Sequence, residues 1–180
     1  MEKTLHYVPG ISVPGSGFLP VNLIMTQLYI PPAHQVLFLC TGNYYRSRFA
    51  EIIFSTLAEK KHIPWTAHSR GLRMGMGVGN IGPISPLALA ALAEQGISLR
   101  PPIRYPQRAT AMDFQTASLI IGMDESEHRR MIVESFPQYA DRVEYWYIHD
   151  LDRSGPEEAL TEIETRVRAL VGRLLNTKEE

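Results

Sequence analysis

The sequence predicts an α/β protein of three layers, a four-stranded parallel sheet with helices on both faces. Two observations carry that expectation. Strand-like segments recur at residues 36–39, 65–69, 118–122 and 143–148, and segments with apolar residues every three or four positions lie between and after them. Strands that alternate with helices need crossover connections, which join parallel strands, and the helices that make those crossovers cover the sheet.

Each element has its own signal. Val36-Leu37-Phe38-Leu39 is a continuous apolar run ending at Cys40, the pattern of a strand buried on both faces. Helical spacing begins at Arg46 and passes through Phe49, Ile52, Ile53 and Leu57 to about His62. Residues 65–69 form the second strand, followed by a Gly- and Met-rich loop over residues 71–83. Ser85 and Pro86 supply an N-cap and first-turn pair for a helix that stops at Gly96. The runs at residues 118–122 and 143–148 complete the sheet, and Asp124-Glu125-Ser126 caps a helix passing through Arg129 and Met131. Leu160, Ile163, Val167, Leu170 and Leu174 mark a long amphipathic closing helix.

Composition bounds the function. A chain of 180 residues, 44% hydrophobic, suits one core. Residues 1–33 stand apart as a Pro/Gly-rich extension with almost no charge, ahead of a domain over residues 34–180. With 18 Lys and Arg against 19 Asp and Glu, no global field favours nucleic acid or an anionic membrane, so any anion site must be local. The chain lacks an apolar run of transmembrane length and a signal-type block at its start. One cysteine excludes an internal disulfide framework and a multi-thiolate metal site, and suits a reducing cytoplasm. The six histidines show no ligand spacing, so neither a metal nor a cofactor is expected.

The chemistry concentrates in Cys40-Thr41-Gly42-Asn43-Tyr44-Tyr45-Arg46-Ser47. A cysteine and an arginine separated by five residues, between a buried strand and a helix, can wrap the chain around a tetrahedral oxyanion. Backbone N–H groups of residues 41–46 would form an anion nest, the helix N-terminus adds partial positive charge, and Arg46 supplies a bidentate fork. The same surroundings favour a thiolate, which is the nucleophile. Ser47 can donate a hydrogen bond that holds the sulfur, Gly42 permits close approach of the backbone, and Asn43 tolerates left-handed geometry.

The stretch from Val36 to Glu51 resembles the first strand, phosphate loop and helix start of the low-molecular-weight protein tyrosine phosphatases, a family akin to the thioredoxin-coupled arsenate reductases. The resemblance continues through His68-Ser69, Asp113-Phe114 and Ile120-Ile121-Gly122-Met123-Asp124-Glu125-Ser126, covering about residues 35–175. It implies the flavodoxin-like phosphatase I fold and hydrolysis of a phosphotyrosine protein or small aryl phosphate through a cysteinyl-phosphate. It further implies Cys40 as nucleophile, Arg46 as transition-state clamp, Ser47 as thiol partner, and Asn43 with Ser69 as a polar brace. The family places an Asp-Pro pair after its last strand. Here Asp150-Leu151 occupies that place, so Asp150 is the expected general acid and Asp152 its rival.

Three departures stand beside these matches. Tyr45 occupies the place of a second loop cysteine common in the family, Arg48 replaces the usual Pro after the Ser, and the aromatic pair that often follows Asp-Pro is absent. Tyr44 or Tyr45 is the candidate replacement for that pocket wall. Arg70 and Arg73 are candidates for gathering an anionic substrate or, as readily, for keeping a face wet. The competing functions are an arsenate reductase that borrows an external thiol and an oxyanion- or partner-binding module with weakened catalysis.

Overall fold

A computed structural model describes residues 34–75, 80–149 and 155–176. The Pro/Gly-rich extension, the middle of the Gly/Met loop, and both Asp150 and Asp152 lie outside the described residues.

The sheet contains β1 (His34–Cys40), β2 (Trp65–Gly71), β3 (Leu119–Gly122) and β4 (Val143–Tyr145), all parallel, in the order β2-β1-β3-β4. The helices are α1 (Arg46–Lys60), α2 (Pro86–Glu94), α3 (Ala111–Thr116), α4 (Glu125–Ser135) and α5 (Pro156–Asn176), with a 3-10 turn at Pro137–Arg142. The four-stranded α/β expectation holds.

Strand β1 shows why the sheet needs cover on both sides. Val36 and Phe38 belong to one apolar cluster, with Phe49, Ile53 and Phe54 of α1, Ala88 and Leu92 of α2, and Ile163 and Val167 of α5. Leu37 and Leu39 point the other way, into a cluster with Phe114 of α3 and Met131 and Ile132 of α4. Side chains alternate across a strand, so an unbroken apolar run is stable only when both faces are dry. At about 25 cal/mol per Å² of apolar surface, this burial is the main favourable contribution to the fold.

Several elements depart from the sequence expectations. Strand β4 ends at Tyr145 rather than residue 148, because Tyr147 takes φ +57 and breaks the extended run. Trp146 and Ile148 nonetheless stay buried, their N–H groups bonded to the carbonyls of Gly122 and Met123 at 3.0 and 2.6 Å. Ser85 occupies the N-cap position of α2 without a side-chain capping bond. Its N–H instead donates to the carbonyl of Tyr44 at 3.0 Å, tying the helix start to the Cys40–Arg46 loop. Helix α2 ends at Glu94, and Gly96 follows at φ +73 as a left-handed stop. Helix α3, unassigned from the sequence, is closed by a capping box in which Thr110 and Asp113 bond reciprocally.

Candidate active site

Cys40 ends the central strand β1 and Arg46 begins α1, so the loop between them lies at the carboxyl edge of the sheet. Open parallel sheets bind ligands at that edge. Cys40, Asn43, Arg46 and Ser47 are all buried.

One chain of hydrogen bonds runs to the sulfur. The carbonyl oxygen of Asn43 accepts from Arg104 Nη1 at 3.0 Å and from the Gln107 N–H at 2.9 Å. Its amide nitrogen donates to Ser69 Oγ at 2.8 Å and to Ser47 Oγ at 3.1 Å. Each serine then has its own hydrogen left to give. Ser69 donates to Glu51 Oε2 at 2.6 Å, and Ser47, 3.0 Å from Cys40 Sγ, can give its hydrogen to the sulfur once that sulfur is a thiolate. The Asn43 N–H, 3.3 Å from the sulfur, adds a second donor. Asn43 holds φ +54, the left-handed geometry foreseen for it, and its full hydrogen-bonding capacity is used.

Behind this brace sits a charge cluster. Glu51 Oε2 is paired with Arg48 Nη1 at 2.9 Å and with Arg104 Nη2 at 2.8 Å. Arg104 also donates to Ser69 Oγ at 3.1 Å. Burial pulls the Arg104 guanidinium below its ordinary pKa, with Glu51 opposing that shift.

A second chain runs to Arg46. The Asp124 N–H donates to His128 Nδ1 at 2.9 Å, so the neutral ring of this fully buried histidine carries its hydrogen on Nε2. That nitrogen lies 3.3 Å from Thr41 Oγ1, and the Thr41 hydroxyl donates to Glu127. Glu127 accepts from Arg46 Nη1 at 2.8 Å and from Nη2 at 3.2 Å, while Nη1 also donates to the carbonyl of Ile148 at 3.1 Å. Burial acts to raise the Glu127 pKa, but hydrogen bonds from His128 and Arg46 and the Arg46 charge outweigh it and hold the carboxyl well below its ordinary value. Asp124 caps α4 by accepting from the Ser126 and Glu127 N–H groups, and its other oxygen lies 2.6 Å from His149 Nδ1. Burial raises its pKa, and the bonds from Ser126, His149 and the backbone bring it below normal.

The remaining loop positions divide. Tyr44 is half-buried, with its hydroxyl donating to the carbonyl of Ile81 at 2.7 Å. Tyr45 is buried, in the apolar cluster that includes Phe49 and Ile53 of α1. Gly42 has room for a β-carbon, whose nearest neighbour would be Asn80 Nδ2 at 3.9 Å. The glycine packed tightly against this loop is Gly71 at the end of β2, where a β-carbon would meet Met74 Sδ at 2.7 Å, the Thr41 carbonyl oxygen at 3.0 Å and the Gly42 carbonyl carbon at 3.1 Å. Arg70 and Arg73 are ion-paired with Asp113 and Glu134. Among the described residues no His, Cys, Asp and Glu cluster has metal-binding geometry.

The family model for low molecular weight phosphotyrosine protein phosphatases matches residues 35–180. The chain belongs to that family. A protein-arginine-phosphatase of Bacillus subtilis (strain 168) is 31% identical over 108 residues, spanning 60% of this chain and 67% of the relative. Among solved structures, an arginine phosphatase from Geobacillus stearothermophilus superposes with a TM-score of 0.65 at 25% identity, covering 81% of this chain and 95% of its own. A low molecular weight protein tyrosine phosphatase from T. tengcongensis superposes at 0.64 with 27% identity, over 80% and 99%. The chain is thus a cysteine-dependent phosphatase of the low-molecular-weight type. No described helix of this phosphatase is long and apolar enough to cross a membrane.

Sequence reasoning missed Glu51, Gly71, Arg104, Glu127 and His128 as parts of this phosphatase's site. Glu51 alone carried a local hint, lying five positions beyond Arg46 on the helix that follows the loop. Arg48, which departs from the family's Pro, has become part of the brace through Glu51 and through a 3.2 Å bond to the carbonyl of Arg104.

Proposed function

We propose that this phosphatase removes the phosphoryl group from phosphotyrosine side chains, with Cys40 as nucleophile, Arg46 as oxyanion clamp, Ser47 as thiol partner and Asp150 as general acid. The reading is carried by the hydrogen-bond chain that ends on the Cys40 sulfur. Two donors aimed at one sulfur stabilise a thiolate both before attack and when it must leave again.

In the first step the thiolate attacks phosphorus and the bond to the phenolic oxygen breaks. Asp150 gives its proton to that oxygen. In the second step water attacks the cysteinyl-phosphate, Asp150 takes a proton from the water, and the thiolate departs with inorganic phosphate as product. Arg46 and the loop N–H groups bear the charge on the non-bridging oxygens in both steps. Thr41, Gly42, Asn43, Tyr44 and Tyr45 complete the loop, with Ser69 supporting it.

A phosphotyrosine ring needs a flat wall, and the half-buried Tyr44, anchored through its hydroxyl, supports that assignment. A second reading, phosphoarginine, is favoured by the names of the relatives, two of which are arginine phosphatases. Cys40 is a free thiol, and a catalytic thiol of this kind suits a reducing compartment such as the cytoplasm.

The test compares kcat/KM for matched phosphotyrosine and phosphoarginine peptides, using wild type, Cys40→Ser and Asp150→Ala. Preference for phosphotyrosine, loss of turnover in Cys40→Ser, and an Asp150→Ala defect that is large for poor aryl leaving groups and small for good ones fit the proposal. Preference for phosphoarginine would select the second reading, and equal defects with both leaving groups would remove Asp150 as the acid.

A further inference from the structure

We infer that Glu127 is the positioning residue for Arg46, setting the plane in which the guanidinium meets an oxyanion, and that this carboxylate strengthens anion binding although it carries negative charge. The inference rests on the proposed roles of Cys40 and Arg46.

Arginine has a long side chain whose immobilisation costs rotamer entropy, so an effective clamp must be held before substrate arrives. Here, among the described residues, three acceptors do so. Both carboxylate oxygens of Glu127 meet the Nη1–Nη2 edge, and the Ile148 carbonyl takes a further hydrogen of Nη1. A planar guanidinium has a second bidentate edge, Nε–Nη2, whose direction is set once the first edge is fixed.

Glu127 is itself fixed. Its backbone N–H is capped by Asp124 in the first turn of α4, and its side chain accepts the Thr41 hydroxyl from the loop. The buried His128 ring completes the chain, standing 3.3 Å from Thr41 Oγ1 with its tautomer set by the Asp124 N–H. Helix α4 and the loop residue next to the nucleophile thus hold the same arginine.

The alternative is that Glu127 is a plug, a carboxylate lying where the phosphoryl oxygens belong. The two roles predict opposite signs. Removing a plug or a nearby negative charge tightens anion binding, whereas removing a positioning residue weakens it.

The experiment measures binding of inorganic phosphate by calorimetry, and kcat and KM for an aryl phosphate, in wild type, Glu127→Ala and Glu127→Gln. Thermal unfolding of each variant reports folding. Positioning predicts phosphate affinity lower by about ten-fold in Glu127→Ala and kcat/KM lower by about 10–100-fold, carried mainly by kcat. Glu127→Gln, which keeps one acceptor oxygen, should fall between, and it carries the test alone if Glu127→Ala does not fold. Phosphate binding that is unchanged or tighter in the folded variants overturns the inference. Wild type that binds phosphate without turning over the aryl phosphate would count against the phosphatase reading, while the binding comparison would still decide the role of Glu127.

Discussion

The Ser47 hydroxyl oxygen lies 3.0 Å from the Cys40 sulfur and accepts from the Asn43 amide, so its own hydrogen is the one a Cys40 thiolate would receive. Hydrogen bonds to charged groups contribute about 1.5–3 kcal/mol. Ser47→Ala should therefore slow turnover by about 10–100-fold. The thiolate leaves in the second step, so the phosphoenzyme should accumulate, seen as a burst of phenol release in rapid-mixing kinetics. A uniformly slow reaction without a burst would place the role of Ser47 elsewhere.

Asn43 combines a left-handed backbone with a fully used amide. Asn43→Ala leaves buried partners unsatisfied, at about 1–3 kcal/mol, and adds strain of roughly 1–2 kcal/mol at positive φ. A loss of several degrees in melting temperature should accompany loss of activity. Asn43→Gly relieves the backbone strain without restoring the amide. It should recover part of the stability and little of the activity.

Gly71 touches the loop from outside. A methyl group there can displace the Met74 side chain, but the backbone of Thr41 and Gly42 must also move by a few tenths of an ångström. Gly71→Ala is expected to cost about 1–3 kcal/mol, the usual range for overpacking, and to lower kcat more than KM. Adding Met74→Ala should not restore activity, since the backbone clash remains. Recovery in the double variant would show that Met74, not the loop, was the obstacle.

The sheet was legible because an apolar run such as residues 36–39 is unstable unless covered on both faces. The loop was legible because its chemistry sits within eight consecutive residues, Cys40 to Ser47. The supports were not. Glu127 reaches Arg46 across 81 positions and Arg104 reaches Asn43 across 61, and no local pattern records such a meeting. Glu127 was further hidden by its place in the first turn of α4, where an acidic residue is already explained by the helix dipole. Ser85 shows the converse. It takes the N-cap position its residue type suits, yet its side chain makes no capping bond and its N–H binds Tyr44.

Acid should expose the Glu127 pair. The folded carboxyl titrates below its unfolded value of about 4.3, so its contribution to stability is fully present above that pH and is lost as pH falls towards the folded pKa. Asp124, also depressed, acts in the same direction. Denaturant midpoints measured from pH 7 to pH 3 should fall for wild type below about pH 4.5 and fall less for Glu127→Gln. Parallel curves would mean that the pair contributes no pH-dependent stability.

Cys40 is proposed to carry the phosphoryl group during turnover. Rapid acid quench of the enzyme with an aryl phosphate, followed by peptide mass spectrometry, tests it directly. One added phosphoryl group is expected on the peptide containing Cys40, formed within the first turnover and enriched in Ser47→Ala. Undiminished turnover in Cys40→Ser, or a phosphoryl group found on another residue, would contradict it.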